Sequence, residues 1–131
     1  MTDPTDSAIF EPLAQSFAKA HAAFVDAVRA AIAGAVGDPL LANTPAFLTW
    51  QTQALPMLER QNASIEKALA LFLVGETRTI LSLAADCRGL AKQLDGYPLT
   101  FAGADPAANL ERLETAEVVA AYRLCAAAGI P

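Results

Sequence analysis

Charge is scarce in this sequence, and positive charge is scarcest. Of 131 residues only 18% are charged, against roughly 25% in an average domain. Lys and Arg together number 9 against 14 Asp and Glu, for a formal net charge of −5. No run of Lys or Arg makes a local exception, so phosphate backbones and anionic lipid surfaces are poor partners and no nucleic-acid binding is expected. Histidine occurs once, as His21. A di-metal carboxylate bundle needs paired Glu-x-x-His motifs, and His21, in KAHAAF, has no Glu three residues before it. Cysteine occurs twice, as Cys87 and Cys125, each in an Ala- and Leu-rich context. Both read as reduced, buried small hydrophobes of a cytoplasmic protein rather than as a disulfide. A Cys–His couple would have to join His21 to one of these thiols across the fold, and nothing in the sequence prepares a thiolate.

Long apolar runs are missing too. The longest uncharged stretch, Pro39 to Leu58, contains Asn43, Thr44, Thr49, Gln51, Thr52, Gln53 and prolines. It cannot span a bilayer, which takes about 20 mostly apolar residues. The opening MTDPTDSAIFEP is acidic and has no apolar core of a leader, so no secretory signal is expected. Neither a phosphate-cradling glycine loop nor a dinucleotide fingerprint occurs. Paired carboxylates could still do acid–base work, with Glu59, Glu66, Glu76 and Asp86 available, but Glu59 and Glu66 sit beside Arg60 and Lys67 as solvated residues do. No catalytic residue, metal or cofactor is expected on these grounds.

What is present is helix-forming material. Hydrophobic residues make up 54%, and alanine, the best intrinsic helix former, is prominent among them. Leu13, Phe17, Ala20, Phe24, Val28 and Ile32 recur at steps of three and four, one stripe of a helix expected over 12–35 after a tail at 1–10. His21 lies beside this stripe, at the core boundary. Thr44-Pro45 opens a second helix over 45–55, which Pro56 should kink or restart. Leu58, Asn62, Ile65, Leu69 and Phe72 continue in phase through Glu76 to Ile80, Leu83, Cys87, Leu90 and Leu94, which favours one long helix over 57–94. A reversal at Val74 to Thr77 is the competing reading. Asp105-Pro106 then opens a helix over 106–128, with Leu110, Leu113, Glu117 or Ala116, Ala120, Leu124 and Ala127 as its stripe. The expected fold is all-α: an antiparallel bundle of three to four amphipathic helices in a single domain over 1–131.

Candidate interaction residues follow from polar residues placed among apolar ones. Glu76 and Arg78 interrupt the most apolar stretch, LALFLVGETRTILSL, and read as a turn, a register-setting contact or a ligand carboxylate. Phe47, Trp50, Gln51 and Gln53 combine aromatics with uncharged polar groups, as interfaces that avoid desolvating charge do. Tyr97 and Phe101 belong to an unusually apolar connection expected to fold over the end of the bundle.

The stretch AGAVGDPLLANTPAFLTWQTQALPMLERQNASIEKAL, residues 33–69, resembles the phasins, helical proteins that coat polyhydroxyalkanoate granules. The elements that carry the resemblance are Asp38-Pro39, Leu48, Gln51 or Gln53, and Pro56. The first helix is shorter than that family's, and less than a third of the chain is covered. The resemblance implies granule coating and self-association and brings no catalytic residues. The functional expectation is a non-catalytic helical protein that self-associates and covers an apolar surface or docks on a partner protein. The alternative is a small enzyme or ligand-binding protein with a pocket near Glu76, Trp50 and Tyr97.

Overall fold

Burial of regularly spaced apolar residues decides where the helices run. The structure, a computed structural model, describes residues 7–131. Helix α1 spans Ser7–Val36 and buries Phe10, Ala14, Phe17, Phe24, Val25, Val28 and Ile32. It therefore starts earlier than its proline suggests. Pro12 lies inside α1, where an interior proline costs about 3 kcal/mol; full burial of Phe10 returns about 1.5–3 kcal/mol of that. The tail expected at 1–10 is thus corrected for 7–10, and its first six residues lie outside the described part.

Short helix α2 (Pro39–Ala42) is capped by Asp38, whose side chain accepts from the Leu40 amide. Thr44 caps α3 (Pro45–Thr49) in the same way through the Phe47 amide. The chain does not break at Pro56. Instead α3 passes through a π-helical turn, Trp50–Ala54, into α4 (Leu55–Leu73), with right-handed helical backbone at Thr49, Trp50, Ala54 and Leu55. A widened turn just before a proline relieves the clash of its ring with the preceding carbonyls. The expected separate helices at 45–55 and from 57 onward are one continuous helical run.

The long helix expected over 57–94 is not formed. Helix α4 stops at Leu73, and α5 occupies Arg78–Cys87. Gly75, at φ +99°, closes α4: its amide donates to the Phe72 carbonyl and the Glu76 amide to the Leu71 carbonyl. This is a Schellman closure, which needs the left-handed backbone that glycine supplies most cheaply. A second short break at Arg88-Gly89 precedes α6 (Leu90–Gln93). A 3₁₀ turn over Leu99–Ala102 then leads, through Gly103, to α7 (Ala104–Ala127). Asp105 lies in the first turn of α7 rather than capping it.

Helix α1 packs on α4 and α7, and α5 packs on the same two, so the longer helices close into a ring. Every element among the described residues is helical, and the fold is all-α. The core falls into two apolar layers. One gathers Phe24, Val28, Phe47, Trp50, Leu58, Leu90, Phe101 and Leu110. The other gathers Phe10, Phe17, Ile65, Phe72, Ile80, Cys87 and Leu124. Most of the α4–α5 stripe packs inside the chain: Leu58, Ile65, Phe72, Ile80, Cys87, Leu90 and Leu94 are buried. No described helix is long and apolar enough to cross a membrane.

Candidate functional site

Between the two apolar layers lies a polar one. His21 sits on α1 between Phe17 and Phe24, and Glu117 on α7 between Leu110 and Ala121; both side chains are 0% exposed. His21 Nδ1 is 2.6 Å from Glu117 Oε2, and His21 Nε2 is 3.1 Å from the Leu58 carbonyl oxygen on α4. A carbonyl only accepts, so Nε2 carries a proton and donates it to Leu58. A further proton lies between Nδ1 and Oε2. Burial pulls the His21 pKa down, but the hydrogen bond to Glu117, its negative charge and the Leu58 carbonyl together raise it above the ordinary value. That shift favours a protonated Nδ1 donating to Oε2.

Cys87 of α5 completes the layer. One ligand-capable atom from each of His21, Cys87 and Glu117 lies within 4.8 Å of the others. Burial pushes the Cys87 thiol strongly up, and the Glu117 carboxylate, both as a charge and as an acceptor for the thiol, adds to the effect. The sulfur therefore keeps its proton. Glu117 Oε1 itself is buried with no hydrogen-bond partner among the described residues. An unpartnered carboxylate oxygen in a protein interior costs about 1–3 kcal/mol or more. The layer thus draws a side chain or carbonyl from each helix of the ring. Cys87 and Cys125 are both buried and free.

The sequence carried a signal for this layer. His21 is in phase with Phe17 and Phe24, and Glu117 with Leu110, Leu113 and Leu124. Each is an ionisable residue on an apolar stripe, and their charges are opposite. Placing His21 at the core boundary is corrected by its complete burial.

The anticipated residues divide between two regions. Trp50, Phe47, Tyr97 and Phe101 come together at one end. The Trp50 indole stacks on Phe101 at 4.7 Å between centroids, meets Tyr97 edge-on at 6.1 Å, and donates Nε1–H to the Pro98 carbonyl at 2.9 Å. The Tyr97 hydroxyl donates to Gln53 Oε1 at 3.2 Å, and Gln51 is exposed. This end buries Trp50 rather than offering it, as a core anchor for the apolar connection.

Glu76 lies in the turn beyond the far end of α4, and Arg78 is the first residue of α5. The 19 residues of α4 span about 28 Å, so no single pocket holds Glu76 with Trp50 and Tyr97. The Glu76 carboxylate accepts from the Arg78 amide at 2.9 Å and the Thr79 hydroxyl at 2.7 Å. Those bonds, Thr79's foremost, hold its carboxyl below the usual range. It caps α5 and marks the reversal. A separate open cleft of about 380 Å³ includes Tyr97, Pro98, Asp95 and Glu114. Burial, then Glu111 and Glu117, raise the Glu114 pKa.

No family model, curated protein or solved structure matches this chain.

Proposed function

We propose that this chain is a non-catalytic helical protein of the cytoplasm that covers an uncharged apolar surface of the phasin-coated kind and self-associates as it does so. One observation carries the reading. Pro39 to Leu58 has no charged residue, and although Phe47, Trp50, Ala54 and Leu58 are buried, other apolar residues of the segment face outward. Leu40 is 85% and Leu48 49% exposed, with Val36 56% exposed where α1 meets α2. Asn43, Gln51, Thr52 and Gln53 complete an exterior that is exposed and neutral. Such a surface loses little on leaving water, because beyond the Asp38 carboxylate that caps α2 no ion of the segment has to be desolvated, whereas each leucine gains about 25 cal/mol per Å² of apolar area covered. It lies within the segment that resembles the phasins.

Adsorption to polyhydroxybutyrate particles, read by depletion from solution, tests the proposal. The wild-type chain should coat the particles, and a Leu40→Lys/Leu48→Lys double variant should lose at least about tenfold in affinity, near the 1.4 kcal/mol per decade that the lost apolar contact supplies. A wild-type chain that stays in the aqueous phase as a monomer would sink the reading.

A further inference from the structure

We propose that His21, Cys87 and Glu117 form a buried site for a borderline-soft divalent cation of the zinc class. The donor set, rather than the burial alone, points there. Nitrogen, sulfur and carboxylate oxygen converge from α1, α5 and α7 with their ligand atoms within 4.8 Å of one another. Thiolate and imidazole suit zinc and cobalt, while magnesium and calcium take oxygen. Bond lengths of about 2.0–2.3 Å in a tetrahedral site imply ligand atoms about 3.2–3.8 Å apart. The cluster thus needs side-chain shifts of about 1 Å, opening the 2.6 Å His21–Glu117 contact and closing the wider ones.

Independent details fit. Metal-bound histidine almost always donates its other ring N–H to a carboxylate or backbone carbonyl, which fixes the tautomer. His21 already does so, with Nε2–H on Leu58 O, leaving Nδ1 to face the cluster. Glu117 Oε1 is a fully buried acceptor with no partner. Nδ1, Sγ and the Glu117 carboxylate are three side-chain ligands; the two oxygens of one carboxylate lie too close together to fill two corners of a tetrahedron, so the fourth position is left to a water molecule. Charge balances as well: thiolate and carboxylate neutralise a divalent ion beside neutral imidazole. Loading displaces the Cys87 thiol proton and the proton between His21 and Glu117 to solvent, while the Nε2 proton stays. The site lies at the meeting point of the ring and is sealed, so the ion enters as the chain folds.

The test uses Co²⁺ as a probe. The full chain is unfolded in denaturant with chelator, desalted, and refolded with Co²⁺. A near-ultraviolet thiolate-to-cobalt band saturating at one ion per chain, and bleached by Zn²⁺, is expected. Cys87→Ser should lose the band and Cys125→Ser should keep it. Glu117→Gln should weaken binding by more than about 100-fold, beyond what changes outside the ligand set cause. Should either ligand variant fail to refold, X-ray absorption at the cobalt edge of the wild-type chain decides. A sulfur at about 2.3 Å with nitrogen and oxygen near 2.0–2.2 Å supports the site. Refolded wild-type helix without the band, a shell of oxygen and nitrogen alone, or a band that survives Cys87→Ser overturns it.

Discussion

His21 and Glu117 are worth more as a pair than as the sum of their separate effects. Taking one partner away leaves the other charge buried and uncompensated, at a cost of about 3–5 kcal/mol. Replacing both by apolar residues of similar volume removes the desolvation problem altogether. In chelator, Glu117→Gln should therefore fall by about that amount in a urea melt, while His21→Leu/Glu117→Met should match or exceed the wild-type chain. The pH dependence has a definite sign. The folded His21 pKa lies above its ordinary 6.5, so the folded state holds this proton more tightly than the unfolded chain does. The pair's contribution is complete below about pH 6.5 and fades as pH rises through the folded value. Melts of the metal-free chain across that window should show the decline, and the double apolar variant should lack it. At this scale the sequence was partly legible. The stripes that place His21 and Glu117 were readable, but their meeting was not, because the partners are 96 positions apart and periodicity carries no information about which helix faces which.

Among the elements, the α4–α5 reversal depends on one glycine and one carboxylate. An alanine at Gly75 would have to adopt a left-handed backbone, at roughly 1–2 kcal/mol. Gly34 is a contrast: it lies inside α1 at ordinary helical φ with nothing within 4 Å of an added Cβ. Gly34→Ala should stabilise the chain by about 0.5–1 kcal/mol, and Gly75→Ala should destabilise it, so paired melts read opposite signs from the same substitution. Glu76→Gln acts on the other half of the turn. Its carboxyl is held low by Thr79 and the α5 amides, so its contribution is present above the unfolded pKa and lost as pH falls through the folded one. The variant should be less stable than wild type at neutral pH, and the difference should close in acid. The stripes of α1, α4 and α7 were legible because burial enforces a period. The reversal was hidden because the stripes on either side of Gly75 happen to share a phase. The π turn was hidden because Pro56 signals a break, and only tertiary burial of Trp50, Ala54 and Leu58 makes accommodation the cheaper outcome.

For the whole molecule, 54% hydrophobic against 18% charged residues goes with apolar surface that one chain does not hide. Closing the ring changes where that surplus lies. Phe72, Ile80, Leu90 and Leu94 are buried, so the surplus lies elsewhere: at the neutral end around Val36, Leu40 and Leu48, at Leu73 and Val74 in the α4–α5 turn, and singly at Ile9, Val119 and Tyr122. Stability and surface activity should consequently be separable. Leu58 is fully buried, and Leu58→Ala should cost about 2–5 kcal/mol in unfolding free energy. Exposed residues away from caps and cores usually change stability by no more than about 0.5 kcal/mol, so Leu40→Lys/Leu48→Lys should melt close to wild type. Adsorption should rank the variants the other way: the lysine pair loses particle binding, and Leu58→Ala keeps it for as long as the chain stays folded. Circular dichroism melts beside the particle-depletion assay read both quantities on the same samples. If the lysine pair unfolded the chain, these leucines would be core residues under another name. If it melted normally and still coated the particles, the neutral end would be solvent-facing surface with no part in adsorption.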